Sequence, residues 1–267
     1  MADSKSVNTK YLHLTSISQK YTATKSIASR LVSEVDKENH WKPIVGIFDE
    51  RNPLLSIKQA AQYLPEYFEY DIQRQVVKAI ERMREDDMRK KISSVPGMTE
   101  SGAAAIWLYT LDGPLYRDLN GRLRAQDWEY LREHYHPYMR ILLTAMKCLQ
   151  SGERKCLYRG VQGDVVSEAG EKNMYERDKR FVWWSFSSTT AVIESVKHYF
   201  GGEGKQTIFQ IDSSKGADVS GFSVYGSDEA ELLLPPGTVL CSLGVMKSGN
   251  TTIIQCADDE SAPQLVF

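Results

Sequence analysis

The spacing of apolar side chains changes character near the middle of the chain. In the first half they recur every three or four positions, as at Ile72, Val76, Val77 and Ile80, which is the spacing of one helix face. This pattern predicts helices at residues 56–91 (divided at Pro65), 99–109, 116–120 and 128–150. A shorter helix is predicted near residues 27–35, in a Ser-, Thr- and Lys-rich terminus whose first ~25 residues are typical of partial disorder.

The second half carries a different pattern. After Gly152, short runs of β-branched and aromatic residues alternate with Gly, Asp and Ser, which is typical of strands joined by turns. The runs predict strands at residues 156–158, 181–186, 207–211, 230–234, 239–243 and 252–255, with one helix at 193–200. Helices followed by strands indicate the α+β class, with a helical N-terminal lobe ahead of a strand-rich region.

Composition and charge narrow the class of protein. Hydrophobic residues make up 42% of the chain and charged residues 25%, as in soluble globular proteins. The net charge of -2 argues against a nucleic-acid partner bound through a dominant basic surface. No apolar run has the length of a membrane span, and no apolar signal segment follows Met1. We therefore expect a cytoplasmic location and no membrane partner.

Two local patterns that resemble metal or phosphate sites lack the neighbours such sites need. His134 and His136 form an H-x-H, but no acidic or Cys/His cluster accompanies them, so we expect no metal site. Residues 202–205 are followed by Gln206 rather than Ser or Thr, which departs from the phosphate-binding loop. The four cysteines form no C-x-x-C pair and are expected to be free thiols.

One stretch of the strand-rich half carries two carboxylates, Glu229 and Glu231. Residues two apart in an extended strand point to the same face, so both side chains would project into the same space. The apolar run 232–234 anchors the strand, and Pro235 and Pro236 end it because proline cannot donate to a sheet ladder. Alone, a Glu-x-Glu is most often a solvated strand face, so its meaning depends on groups elsewhere in the chain.

Two earlier stretches supply such groups. Arg159-Gly160 follows the strand at 156–158. A guanidinium can grip a phosphate or carboxylate through two hydrogen bonds, and glycine lets a ligand approach the backbone. A structural ion pair of Arg159 is the alternative. Further on, an aromatic run ends in the hydroxyls of residues 187–190, which could either cap the next helix or hold a carboxylate by hydrogen bonding.

Taken in chain order, the Tyr-Arg-Gly strand, the hydroxyl run and the Glu-x-Glu before Leu-Leu-Leu-Pro-Pro resemble the arginine-specific mono-ADP-ribosyltransferases. That family includes the clostridial actin-modifying toxins and related eukaryotic enzymes. The resemblance covers roughly residues 99–245 and extends to the stretches 107–110, 115–120 and 142–146. Each motif is common by itself, whereas the ordered set is specific.

One departure from the family pattern lies in the hydroxyl run. The chain has Ser188-Thr189-Thr190 where the family has Ser-Thr-Ser. Ser188 is aligned with the first hydroxyl because it follows Phe186 by two positions, and Ser187 is the alternative. The departure affects the fine role of this motif more than the activity.

The resemblance implies both a fold and a reaction. The fold is a core of two antiparallel β-sheets flanking an NAD cleft, with residues 1–98 as a helical N-terminal region and 99–267 as the catalytic domain. The reaction transfers ADP-ribose from NAD, a co-substrate, to an arginine side chain of an acceptor protein, releasing nicotinamide without a metal. An NAD glycohydrolase and an NAD-binding pseudoenzyme are the alternatives.

The resemblance also implies catalytic roles. Glu231 would bind the ribose 2-hydroxyl and stabilise the sugar cation, and Glu229 would receive the acceptor guanidinium. Arg159 would grip the phosphates or ribose of NAD. Gly160 would bind the nicotinamide carboxamide, and Ser188 would orient Glu231.

Further assignments follow from the same resemblance. Further NAD contacts are implied for Thr189 in the hydroxyl run, for Phe200 beside the nicotinamide, and for Tyr116 and Asn120 on a helix edging the cleft. A position in the core is the alternative for Phe200. Two aromatic residues shortly before Glu229, Phe222 and Tyr225, are expected to contact the acceptor protein.

Overall fold

The computed structural model describes residues 47–48, 53–65, 72–169, 174–196, 200, 204–226 and 231–262. The helix predicted near residues 27–35 lies outside these ranges, and so does Glu229. Every structural statement below concerns the described residues.

The described first half of the chain is helical, as its apolar spacing predicts. The helices are α1 Ile57–Ala60, α2 Ile72–Met83, α3 Asp86–Ser94, α4 Glu100–Thr110, α5 Pro114–Ala125, α6 Trp128–Tyr130 and α7 His136–Leu149, with a π-helical turn over Leu131–Tyr135 between the last two. Two short helices, α8 Val165–Ala169 and α9 Ile193–Val196, lie among the strands. None of the helices in the described ranges is long and apolar enough to cross a bilayer.

Local capping explains where several helices begin and end. Ser56 and Gln59 form a reciprocal capping box ahead of α1. The Thr99 hydroxyl accepts a 3.0 Å hydrogen bond from the Gly102 amide and so satisfies a free donor at the start of α4. Helix α5 ends at Gln126, whose backbone is left-handed, with φ 54°.

Two predicted helices are interrupted in the structure. The helix expected to continue from Pro65 to Lys91 breaks at Arg84 and Glu85, because Glu85 adopts an extended backbone and precedes a new helix with two acids in its first turn. The helix expected at 128–150 contains the π-helical turn. Val77 is 49% exposed, so the predicted apolar face is wrong at that position.

The described residues of the second half form eight strands, which confirms the α+β class. They are β1 Lys155–Gln162, β2 Arg180–Trp183, β3 Ser187–Thr190, β4 Gln206–Ser213, β5 Ala217–Asp218, β6 Glu231–Leu234, β7 Thr238–Ser248 and β8 Thr251–Asp258. The strand predicted at 181–186 ends at Trp183, and the hydroxyl run that follows is itself a strand. The helix predicted at 193–200 is described only over Ile193–Val196.

The described strands are linked in one mixed sheet with the order β2-β7-β8-β4-β1-β3-β6-β5. The antiparallel expectation needs a correction, since β4 and β8 run parallel. The link between β1 and β3 is a single residue pair, Tyr158 with Thr190, whereas β1 pairs with β4 along its whole length. The sheet therefore consists of two parts that meet at one point. The five-strand part contains β2, β7, β8, β4 and β1, and the three-strand part contains β3, β6 and β5.

Two apolar clusters pack against this sheet. The helical cluster joins buried residues of the helices to Val182, Phe222 and Leu233, and the sheet cluster contains Trp183, Phe209 and others. Because side chains alternate along a strand, β6 sends Leu233 to the helical cluster and its neighbours Leu232 and Leu234 to the sheet cluster. Helices α1 and α2 share the helical cluster with α4 and α7, so part of residues 1–98 contributes to the same core as the region beyond residue 99.

Candidate active site

Arg159 lies within β1, and its side chain reaches across to β3. Its Nη1 donates a 2.8 Å hydrogen bond to the backbone carbonyl of Ser188. The guanidinium carbon lies 5.6 Å from the centroid of the Trp183 ring, which is within cation–π range. The positive charge is therefore held beside the hydroxyl strand, at the point where the two parts of the sheet meet.

Gly160 is placed under two apolar side chains. A Cβ built on it would lie 2.8 Å from Cγ1 of Val196 and 3.0 Å from Cζ of Phe200. The first distance is shorter than real Cβ contacts and the second is at their lower limit, so a larger residue would displace Val196 and press against Phe200. The close packing explains why glycine stands here, and it brings the predicted residue Phe200 next to Gly160.

The register of β3 and β6 separates the four hydroxyls of β3. Thr190 pairs with Glu231 and Ser188 pairs with Leu233, so Ser188, Thr190 and Glu231 share one face of the sheet. Ser187 and Thr189 face the other way and are buried. The Ser187 hydroxyl donates to the Ser185 carbonyl at 3.3 Å. This register favours Ser188 over Ser187 as the residue that approaches Glu231.

Thr189 has a hydrogen-bonding role inside the fold. Its hydroxyl donates a 2.6 Å hydrogen bond to the carbonyl of Leu232, the residue with which it is paired across the ladder. The bond closes the β3–β6 pair from the face opposite Glu231. Thr189 therefore lies within the site's framework, with its hydroxyl directed away from the carboxylate.

Glu231 is the first residue of β6 and is partly buried. Burial raises the pKa of its carboxyl, because desolvation disfavours the charged form. A hydrogen bond with the Ser188 side chain and the positive charge of Arg159 act in the opposite direction, yet the net pKa stays above its usual value. The structure thus brings Arg159, Ser188 and Glu231 together.

Asn120 is buried beneath this group and bridges a helix to the sheet. Its Nδ2 donates to the Tyr109 hydroxyl at 2.8 Å, and its Oδ1 accepts from the Phe186 amide at 3.1 Å. The hydrogen bond from the Phe186 amide supports the backbone just before β3, because Phe186 immediately precedes that strand. Asn120 therefore holds the hydroxyl strand against α5.

Tyr116 lies one turn before Asn120 and is partly exposed. Its hydroxyl accepts a 3.1 Å hydrogen bond from Nε of Arg117. Its ring packs edge-on against Tyr109, with the centroids 6.3 Å apart. Tyr116 is therefore connected to the site through its ring contact with Tyr109.

Tyr109 also lies beside this group, although the sequence does not mark it as a site residue. Burial raises the pKa of its phenol; the Asn120 hydrogen bond opposes this, Glu231 raises it further, and Arg159 lowers it. The phenol therefore lies within electrostatic reach of both charged site residues. The one sequence feature that points to Tyr109 is its position in the stretch 107–110, which is part of the family resemblance. Nothing in the local spacing distinguished it from a core tyrosine.

The segment ahead of the acidic pair is only partly exposed. Phe222 is 2% exposed and belongs to the helical cluster, so the expectation that it contacts an acceptor is wrong. Tyr225 is partly exposed, and its amide donates to the Ser223 hydroxyl at 3.3 Å. Phe222 is buried because the segment 219–226 packs against the helices.

A charged pocket with two carboxylates lies beyond the end of β1, and Arg159, Ser188 and Glu231 are not among its lining residues. Its volume is about 430 Å³, and its lining includes Gln162, Asp164, Glu168 and Lys205. Within the ranges that the structure describes, no three His, Cys, Asp or Glu side chains gather as a metal site requires.

Comparison with protein families identifies a likeness over most of the chain. A family model described as NAD:arginine ADP-ribosyltransferase matches residues 56–261. Human GPI-linked NAD(P)(+)--arginine ADP-ribosyltransferase 1 is 30% identical over 152 residues, which are 52% of this chain and 42% of the human protein. The matched region thus spans less than half the length of that curated relative.

Solved structures share the fold at low sequence identity. The ADP-ribosyltransferase HopU1 of Pseudomonas syringae pv. tomato DC3000 has a TM-score of 0.60 at 22% identity, covering 69% of this chain and 87% of HopU1. The eukaryotic mono-ADP-ribosyltransferase ART2.2 has a TM-score of 0.56 at 18% identity, covering 88% and 96%. A variant of ART2.2 in complex with NAD has a TM-score of 0.54 at 18% identity, covering 88% and 95%.

Proposed function

The chain belongs to the NAD:arginine ADP-ribosyltransferase family, and we propose on this basis that it transfers ADP-ribose from NAD to arginine side chains of acceptor proteins. The single observation that carries the proposal is the convergence of Arg159, Ser188 and Glu231 where β1, β3 and β6 meet. Support also comes from the ART2.2 variant in complex with NAD, whose fold this chain shares.

In the proposed reaction, the bond between ribose C1 and the nicotinamide nitrogen breaks first. Both electrons of the bond leave with the nicotinamide, which neutralises its ring, and the sugar becomes an oxocarbenium-like cation. Glu231 stabilises that cation and holds the ribose 2-hydroxyl. A carboxylate aimed at a charge that develops only in the transition state lowers the barrier without tightening substrate binding equally.

The raised pKa of Glu231 fits this role. A carboxylate that the protein compensates incompletely gains most from a cation brought by the substrate, because the new charge replaces lost solvation. Ser188 keeps the carboxylate oriented through its hydrogen bond. Arg159, held beside it, supplies positive charge for the phosphates of NAD.

The second half of the proposed reaction concerns the acceptor. A guanidinium nitrogen forms the new bond to C1 and must lose a proton, because an arginine side chain is otherwise protonated. Glu229 accepts that proton and aligns the guanidinium. This role rests on the sequence alone, since Glu229 lies outside the described residues.

The remaining candidate residues shape the NAD cleft in this proposal. Gly160 and Phe200, which lie against each other, hold the nicotinamide. Asn120 and Thr189, whose polar groups bond within the fold, support the walls, and Tyr116 edges the opening. We further propose that the five-strand and three-strand parts of the sheet are the two faces of the cleft, within a catalytic domain of residues 99–267.

The partners and the location follow from the same proposal. The acceptor is a protein with an exposed arginine. The cytoplasmic location expected from the sequence stays a prediction beside a human relative that is named as GPI-linked.

Incubation of the purified protein with NAD and agmatine, a small guanidine acceptor, tests the function. We expect free nicotinamide and ADP-ribosylated agmatine, both resolved by chromatography and mass spectrometry. Glu229→Gln should reduce agmatine labelling about a hundredfold, the usual size of a proton-transfer contribution, while nicotinamide release to water continues.

A neighbouring carboxylate provides the control. Asp228→Asn removes a negative charge one position away and should leave the labelling near the wild-type level. Nicotinamide release without any labelled agmatine would identify a glycohydrolase. Binding of NAD without release of nicotinamide would identify a pseudoenzyme and contradict the proposal.

A further inference from the structure

The segment that leads from β5 toward the acidic pair is fastened to the helices. Val219 is fully buried in the helical cluster, together with Phe222. The amides of Phe222 and Ser223 both donate to the Val219 carbonyl at 2.9 Å, which folds the segment into a compact turn. We call residues 219–226 the anchored loop.

Two polar contacts join the anchored loop to two different helices. Nζ of Lys91, in α3, donates to the Gly221 carbonyl at 3.0 Å, and the Lys91 stem lies against Gly221. The hydroxyl of Thr110, at the end of α4, accepts from the Val224 amide at 3.0 Å. Both contacts bind the loop backbone, so they restrain its path whatever side chains it carries.

The geometry of Thr110 makes it a directional anchor. Its hydroxyl donates to the Trp107 carbonyl of its own helix at 3.1 Å, so the hydrogen is committed and a lone pair faces the loop. Because α4 is largely buried, Thr110 in its last turn restrains the position of the Val224 amide relative to that helix. Val224 itself is 37% exposed, which leaves the outer side of the loop accessible.

The other end of the loop is fixed by the active-site strand. The Val219 amide donates to the carbonyl of Glu231 at 3.1 Å, while residues 227–230 connect Gly226 to that same residue. The chain thus leaves Glu231's neighbourhood, crosses the helices and returns. The position of the loop consequently limits where Glu229, two residues before Glu231, can be presented.

We infer that Lys91 and Thr110 are positioning residues for the acceptor half of the reaction, through which the helical region sets how readily an arginine competes with water. The inference rests on the proposed function and adds the part of the chain that controls its second step. Neither residue is placed at the NAD-binding group of Arg159, Ser188 and Glu231. Loosening the loop should therefore impair transfer and spare cleavage of NAD.

Lys91→Met and Thr110→Val test this with little change in side-chain shape. Loss of one hydrogen bond should lower the ratio of labelled agmatine to free ADP-ribose about fivefold in each variant. Nicotinamide release without acceptor should stay within about twofold of the wild type, since bonds at the NAD site are untouched. Thr110→Ser keeps the hydroxyl and should restore the ratio.

Matched controls separate the anchors from general effects on the helices. Lys90→Met removes the adjacent lysine of the same helix, and Thr144→Val removes a hydroxyl that donates to the carbonyl of Arg140 in α7. Both should keep the wild-type ratio. Equal losses of transfer and hydrolysis in the anchor variants, or an unchanged ratio, would overturn the inference.

Hydrogen exchange tests the anchoring independently of activity. The Val224 amide should exchange several-fold faster in Thr110→Val than in the wild type or in Thr144→Val. Unchanged exchange would overturn the anchoring even if activity changed. A wild-type protein that releases nicotinamide but labels no agmatine would instead contradict the proposed acceptor.

Discussion

Glu231, in β6, and Asp164, just after β1, are two carboxylates that the fold treats in opposite ways. Asp164 follows β1 and caps α8, where its oxygens accept from the Ser167 amide at 3.2 Å and hydroxyl at 2.6 Å, and from Nζ of Lys247 at 3.1 Å. The Thr252 hydroxyl adds a further bond at 3.2 Å. Glu231 has the Ser188 hydroxyl and the charge of Arg159.

The difference separates an acid whose charge the fold compensates from the acid that we propose as catalytic. In both carboxyls, loss of solvation on burial acts to raise the pKa, but other contacts act against it. For Asp164, hydrogen bonds from Ser167, Lys247 and Thr252 outweigh that effect and hold the pKa well below its usual value. For Glu231 the compensation is incomplete. The fold thus gains stability from the Asp164 charge, whereas it keeps the Glu231 charge at some cost and leaves it free to meet a cation from outside.

Glu231→Gln should give the largest effect of the three changes that test this contrast. Nicotinamide release should fall about a thousandfold, the scale of one preorganised electrostatic contact. The free energy of unfolding at pH 7 should stay the same or increase, because the amide has no charge to desolvate. Nicotinamide assays and urea unfolding measure the two quantities. Glu153→Gln, at an exposed position, is the control, and a large loss of stability in Glu231→Gln would contradict the contrast.

Asp164→Asn should give the reverse pattern. The amide cannot accept all the bonds that the carboxylate accepts, so the free energy of unfolding should fall by about 1–3 kcal/mol. Nicotinamide release by the folded variant should remain near the wild-type rate. Asp212→Asn provides a comparison, because its ion pair with Arg154 is exposed and should contribute less than about 1 kcal/mol. A variant of Asp164 that is stable but inactive would show that this acid belongs to the active site.

The pH dependence of activity and of unfolding should sharpen the contrast without any mutation. The folded pKa of Asp164 is depressed, so its stabilisation is present above the unfolded value of 3.8 and is lost as pH falls below it. The folded pKa of Glu231 is raised, so its ionised form is lost while pH is still above the ordinary value of 4.5. Activity should therefore decline at a higher pH than the fold does. Rates at limiting NAD and circular dichroism, followed from pH 7 to pH 3, compare the two, and coincident transitions would contradict the assignment.

The sequence predicted the parts of the molecule that depend on local pattern. Apolar spacing predicts α2, α4 and α7, and the capping box ahead of α1 is likewise local, since it needs only Ser56 and Gln59. Arg159, Ser188 and Glu231 were identifiable because each belongs to a short motif in a specific order. The helix break at Arg84 and Glu85 cannot be predicted in this way, since it depends on what each helix packs against rather than on propensity.

Contacts between distant residues could not be predicted in the same way. Tyr109 and Phe222 have side chains suited to a site or a core, and only packing shows that Tyr109 lies near Glu231 while Phe222 is buried. The parallel pairing of β4 with β8 joins segments separated by β5, β6 and β7. No local pattern encodes that pairing.

The order of the motifs and the class of fold follow from the sequence alone, because local patterns of neighbouring residues carry them, and the same patterns make Arg159 and Glu231 the candidate charged residues. The tertiary structure decided which hydroxyl approaches Glu231, since a strand register that is shifted by one residue would exchange Ser188 for Ser187. It also decided that Asp164 is compensated and Glu231 is not. That difference depends on donors such as Lys247 and Thr252, which only folding brings to Asp164.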